Sequence, residues 1–186
     1  MPQIPVDPPL PAPAHRARNI EIKAKLDDLP AARRIAEGLA TDRLGVQIQV
    51  DTYFHARQGR LKLREMDGET AQLVSYARPD ESSPKASDYT LAPVESPELT
   101  KSALAAALGV SVVVRKRREI LLHKNVRIHL DEVEGLGEFL EFEAVLDDAR
   151  DEDGSRALLD WLMGQFGLAQ RDLLTGSYSD MLLPRN

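Results

Sequence analysis

Val126–Glu143, VRIHLDEVEGLGEFLEFE, is the stretch from which the fold is read. Strict alternation sets Val126, Ile128 and Leu130 on one side of an extended chain and Arg127, His129 and Asp131 on the other. The run then breaks at Glu134-Gly135-Leu136-Gly137, where the two glycines mark a tight turn. Alternation resumes with Leu140 and Phe142 against Glu141 and Glu143. Two antiparallel strands follow, with one apolar face and one face carrying charges of both signs.

The same pattern recurs outward from this hairpin. Asn19, Glu21 and Lys23 alternate with Ile20 and Ile22, while Arg60, Lys62 and Arg64, and then Lys116 and Arg118, occupy single strand faces. Strands are predicted over Val46–Phe54, Arg60–Glu65, Gln72–Arg78, Asp88–Ala92, Val112–Leu122, Val126–Val133 and Glu138–Leu146, besides the one at 19–23. Asp27 or Asp28 caps a first helix with Pro30 in its opening turn, and Ser96, Pro97 and Gly109 bound a second. Ser155–Phe166 and Asp172–Leu183 read as amphipathic helices. About eight strands with peripheral helices make an antiparallel α+β fold, and closing the sheet into a barrel is the simplest way to protect its edges.

The chain has 186 residues, 42% of them hydrophobic, and a formal charge of −6, which argues against a protein that coats nucleic acid or an anionic membrane. It has no cysteine, so disulfides, thiolate nucleophiles and thiolate zinc sites are excluded. Residues 1–17 form a Pro-rich tail expected to be disordered, and 18–186 a single domain. With no apolar run of membrane length, the chain is read as soluble and cytoplasmic. The histidines lack metalloprotease spacing. Arg115–Arg118 is better explained as a strand with alternate residues inward than as a nucleic-acid patch. An exposed sheet edge or apolar helix face could support a homodimer.

A solvent-facing strand normally mixes Thr and Ser with its charges, whereas these faces are mostly Lys, Arg, Asp and Glu. If the barrel closes with them inward, the charges must pair with one another, with metal or with a charged ligand, because an unpaired buried charge costs several kcal/mol. A basic interior calls for a polyanion.

Ile20-Glu21-Ile22-Lys23, Asp51–Phe54, Gly59–Glu65, Val114–Arg118, Ile128–Glu143 and the late Ser177–Leu182 run in the order and spacing of a known family. Over residues 18–183 the chain resembles the CYTH superfamily, the triphosphate tunnel metalloenzymes. The resemblance implies an eight-stranded antiparallel barrel whose tunnel holds a triphosphate with Mg²⁺ or Mn²⁺. It implies phosphate contacts from Lys23, Lys62, Arg64, Arg78, Lys116 and Arg118, with Lys85 and Arg127 as additions. It also implies metal ligands at Glu21, Asp131, Glu141 and Glu143, and a catalytic set of Glu21, Lys23 and Asp131. Asn19 departs from the family's opening glutamate. Its amide oxygen can still accept or weakly coordinate but brings no negative charge, so the resemblance leaves the choice between one metal and two open.

Hard oxygen ligands suit Mg²⁺ and Mn²⁺, guanidinium forks suit phosphate oxygens, and phosphoryl transfer asks mainly for positioning and electrostatics. The favoured expectation is metal-dependent hydrolysis of inorganic tripolyphosphate, a nucleoside triphosphate or thiamine triphosphate. The second is a class IV adenylyl cyclase making cyclic AMP and pyrophosphate; such cyclases carry a His-Phe pair before the opening motif, and His15-Arg16 lacks the Phe and sits at a shifted spacing, which lowers this reading. The third is a binding module that holds polyphosphate or nucleotide without turnover.

Overall fold

The computed structural model describes residues 15–77, 85–146 and 152–183. Its strands are β1 (His15–Lys25), β2 (Asp42–Phe54), β3 (Arg60–Met66), β4 (Thr70–Ala77), β5 (Lys85–Pro93), β6 (Val110–His123), β7 (Val126–Val133) and β8 (Gly137–Leu146). The helices are α1 (Leu29–Leu39), α2 (Pro97–Leu108), α3 (Glu152–Gln165) and α4 (Tyr178–Leu182). All neighbouring strands are antiparallel, in the order β1-β5-β4-β3-β2-β6-β7-β8. The sheet closes because β1 pairs with β5 on one side and β8 on the other.

Alternation along the strands sends mostly apolar residues out and mostly polar or charged ones in, with Met66, Val74, Leu91 and Ile120 among the apolar residues that face inward. Ile20 and Ile22 of β1, Ile128 and Leu130 of β7, and Leu140 and Phe142 of β8 form the main core outside the barrel wall, covered by Leu29, Ala32 and Ala36 of α1 and by Leu159, Leu162 and Met163 of α3. Each fully buried Leu or Phe there contributes about 1.5–3 kcal/mol. Asp28 Oδ1 accepts from the Ala31 amide at 2.8 Å to cap α1, and Glu138 Oε2 accepts from the Leu29 amide, tying that helix to β8. α2 covers the opposite wall, with Leu104 and Ala105 packed against Phe54 and Leu63.

The β7–β8 turn is built as its glycines require. Gly135 and Gly137 sit at φ 76° and 95°, conformations that a Cβ would strain. The described strands mostly run one to four residues beyond the sequence reading, and β1 begins at His15, three residues inside the expected tail. The rest of that tail lies outside the described residues.

The C-terminal segment differs from expectation. Instead of one helix over 172–183 there is a 3-10 turn at Gln170–Asp172, an extended link, and the five-residue α4. Leu173 joins the outer core whereas Leu174 joins a separate cluster at one end of the barrel interior, with Leu174 N donating to Lys23 O at 2.8 Å. Consecutive side chains on opposite sides demand extended backbone. Ser177 then caps α4 reciprocally with Asp180, and Tyr178 packs against Val114, Val133, Phe139 and Tyr53 as a plug. Trp161 is partly exposed and stacks on His123 at 5.4 Å between ring centroids. No helix among the described residues is long and apolar enough to cross a membrane.

Candidate functional site

The barrel interior holds a cavity of about 330 Å³. Glu21, Lys23, Lys62, Arg64, Lys116, Arg118, Arg127, Glu141 and Glu143, nine of the residues singled out from sequence, line it together. Asp131 is wholly buried behind Arg118. Arg78 lies outside the described residues. Lys85 contributes backbone to β5, opposite Glu21, and its side chain is likewise outside the described set.

Two buried carboxylates organise the cations. Asp51, on β2, accepts from Arg64 Nε at 2.7 Å and Nη2 at 2.8 Å, and from Lys62 Nζ at 2.8 Å. The register explains this, since Asp51 faces Arg64 directly across the β2–β3 pair. Burial alone would raise the Asp51 pKa, but Arg64, Lys62 and Lys116 outweigh it and hold the carboxyl well below its ordinary value of 3.8. On the other wall Asp131 accepts a bidentate fork from Arg118, Nε at 2.7 Å and Nη2 at 2.5 Å, and a third bond from the Tyr178 hydroxyl at 2.7 Å. Asp131 therefore aims Arg118 into the cavity and anchors the plug. Asp51 had no role in the sequence reading; its signal was a lone acid on a β2 face opposite two cations one hairpin away.

Glu141 and Glu143 are engaged as well. Glu141 lies 3.2 Å from each of Lys23 Nζ, Arg118 Nη2 and His129 Nδ1. Burial pushes its pKa up, and Arg118 with Lys23 brings it well below the ordinary 4.5. Glu143 accepts from Asn19 Nδ2 at 2.6 Å and from Arg127 Nη1 at 3.1 Å. Glu21 faces Glu143 directly across β1–β8. Among the described residues no group of three His, Asp or Glu side chains is already gathered for a metal, because these carboxylates are turned to lysine, arginine and amide partners. The donor chemistry fits Mg²⁺ or Mn²⁺ nonetheless. Asn19, with only 5% of its surface exposed, leaves its Oδ1 buried and unpartnered beside Glu143, a hard oxygen on the same wall.

Lys116 is the under-compensated member. Its Nζ stands 3.7 Å from Asp51 Oδ2, too far for a hydrogen bond. Burial and the nearby Arg118 and Arg64 charges depress its pKa well below 10.5, despite the pull of Asp51. Both lysines lie over the Tyr178 ring, Lys23 Nζ at 3.9 Å from its centroid and Lys116 Nζ at 5.3 Å.

These shifts set a pH profile. A carboxylate depressed in the folded state contributes stability that is full above its unfolded pKa and lost as pH falls through the folded one. Asp51 and Glu141 thus predict a loss of stability below about pH 4. Lys116 acts at the other end. Between its folded pKa and 10.5 the unfolded chain binds more protons, so its penalty is relieved as pH rises through that window. Melting temperatures across pH 3–10 for the wild type and Lys116→Met check both limbs; a Lys116→Met curve with the same alkaline rise would refute the second.

The model of the CYTH domain family matches residues 17–178. A Methanocaldococcus jannaschii protein named "Putative adenylate cyclase" is 26% identical over 172 residues, 87% of this chain and 97% of that one. The solved structure of the Pyrococcus horikoshii protein PH1012 superposes with a TM-score of 0.78 at 24% identity, covering 87% of this chain and 98% of its own. The Hippeastrum protein HpAC1, a "putative adenylyl cyclase" in which triphosphatase activity is dominant, gives a TM-score of 0.59 at 18% identity, over 88% and 93% of the two chains.

Proposed function

The chain belongs to the CYTH domain family, and from that premise we propose that it hydrolyses a triphosphate-bearing small molecule held in the barrel with Mg²⁺ or Mn²⁺. One observation carries the reading. Lys23, Lys62, Lys116 and Arg118, each at most 7% exposed, converge with Arg64 on one cavity, and Lys116 lacks a hydrogen-bonding carboxylate. Phosphate oxygens supply what that cluster lacks, with Arg64 and Arg118 as paired donors and the lysines as point charges.

In the hydrolysis, water attacks a phosphorus, the bond to the leaving phosphate oxygen breaks, and the water's proton passes to a base. Glu21, which lines the cavity across from Glu143, is the carboxylate assigned to accept it. Lys23 and Arg118 stabilise charge growing on the departing oxygens, and Asp131 acts through Arg118 as a positioning residue. Glu21, Glu141 and Glu143, with Asn19 Oδ1, would hold the divalent ion. Such an ion, when bound, neutralises phosphate charge as the bond breaks. Phosphates that draw Lys23 and Arg118 away from Glu141 free that carboxylate, so anion and metal are expected to bind cooperatively.

Incubation with tripolyphosphate, ATP and thiamine triphosphate under Mg²⁺ and Mn²⁺ is expected to release phosphate. Glu141→Gln, which keeps shape and removes the charge that holds Lys23 and Arg118, is expected to lower kcat at least about tenfold with the fold retained. Tight binding without product under either metal would replace the hydrolase with a binding module. Because the Methanocaldococcus jannaschii relative is named as a cyclase, cyclic AMP and pyrophosphate are measured in the same assay. Their appearance from ATP as the main products would make cyclisation the activity.

A further inference from the structure

Along β2 and β3 the cavity lining has two zones, and stepping along the strands separates them. On β2 the inward residues run Tyr53, Asp51, Gln49, Gln47, from plug to mouth; on β3 they run Lys62, Arg64, Met66; on β6, Lys116, Arg118, Ile120. On β2 and β3 charge gives way to amide and apolar groups one strand repeat, about 7 Å, beyond the Asp51–Arg64 pair, whereas β6 carries Lys116 opposite Gln49 and Arg118 opposite Gln47 before it reaches Ile120. Bare tripolyphosphate, which carries only acceptors, can take the amide N–H groups of such a lining but has no donor to offer an amide oxygen.

Gln49 stands at the boundary between the zones. It is 3% exposed, faces Lys116 on β6 and Met66 on β3, and lines the cavity. Its Nε2 donates to Gln47 Oε1 at 2.7 Å, and its own Oε1 is buried with no partner. This amide orientation is electrostatically sound, because the oxygen lies on the strand face shared with the Lys116 and Arg118 cations. A buried acceptor without a donor is costly, and a donor carried by a molecule entering the cavity would satisfy it.

Resting on the triphosphate reading above, we propose that Gln49 determines specificity. Its Oε1 accepts a hydroxyl borne by the alcohol part of a triphosphate ester, close to the esterified oxygen, and so favours sugar-type esters such as nucleoside triphosphates. The closeness follows from position, since Gln49 directly faces a phosphate-zone lysine. A site that hydrogen-bonds a hydroxyl discriminates strongly against the analogue lacking it, because the site's own buried group is then left unpaired.

Titration calorimetry with ATP, 2′,3′-dideoxy-ATP and inorganic tripolyphosphate, in EDTA to prevent turnover, tests this on the full chain. Wild-type protein is expected to bind ATP about tenfold more tightly than the dideoxy analogue, and Gln49→Met to erase that preference. Equal wild-type affinity for the two nucleotides, or a preference that survives Gln49→Met, overturns the assignment. The wild-type comparison decides alone if the variant does not fold. Tripolyphosphate distinguishes the two levels of failure: if it binds without any hydroxyl preference among nucleotides, only the role of Gln49 falls, whereas no binding of any of the three, in EDTA or with Mg²⁺ in its place, removes the triphosphate reading too.

Discussion

Asp51→Asn is expected to cost about 3–5 kcal/mol of folding stability, a drop in Tm of roughly 6–20 °C for a chain of this size. Asp51 is 1% exposed and holds Arg64 through two hydrogen bonds and Lys62 through one, with Lys116 3.7 Å away. Removing its charge leaves three cations in a low-dielectric wall with no carboxylate between them. The substitution is nearly isosteric, so packing is preserved and the loss reads electrostatics alone. A polyanion can replace the missing charge. Tripolyphosphate is therefore expected to raise the Tm of the variant by more than it raises that of the wild type. A variant melting within a degree or two of wild type, or one that gains no more from tripolyphosphate, would show that these cations are not held for a polyanion.

Lys116→Met should behave in the opposite sense. Lys116 is 5% exposed, has a depressed pKa, and sits among Arg64 and Arg118 with a long ion pair to Asp51 and the Tyr178 ring 5.3 Å away. Replacing a poorly compensated buried charge by an apolar side chain of similar length is often neutral or stabilising, by up to about 1–4 kcal/mol. Triphosphate affinity and turnover are nevertheless expected to fall by about a hundredfold, since a close, desolvated charge pair contributes on the order of 2–3 kcal/mol. Stability by thermal melt and affinity by titration are read on the same preparation. If the variant loses stability while keeping its affinity, Lys116 is a structural ion-pair member and the tunnel's excess positive charge must be sought elsewhere.

Together the two substitutions separate cations that carboxylates hold in place from one left for a ligand. That difference was not visible in the alternation of Lys62, Arg64, Lys116 and Arg118, which look equivalent as inward positions of β-strands. The family resemblance implied a metal ligand and catalytic residue at Asp131, and an acid on an inward strand face gives no hint of its partner. In the structure its oxygens accept from Arg118 and Tyr178. Tyr178 lies 47 residues away in sequence on a short helix, a contact that no local pattern encodes.

Alternation in Val126–Glu143 and its counterparts determined the strands, the polarity of their two faces and hence a closed barrel with charge inside. Period-two geometry is local, and each residue's side of the sheet follows from its neighbours. The caps of α1 and α2 were legible for the same reason, since Asp28, Pro97 and Gly109 act within a turn of their own positions. Register, tilt and the C-terminal plug belong to the tertiary structure alone. They settle that Asp51 faces Arg64, that Glu21 faces Glu143, and that Leu173 and Leu174 part to opposite sides of the wall. Those pairings depend on how strands far apart in sequence align, and a one-residue slip that would redirect every side chain is resisted only by the packed core on the outer face.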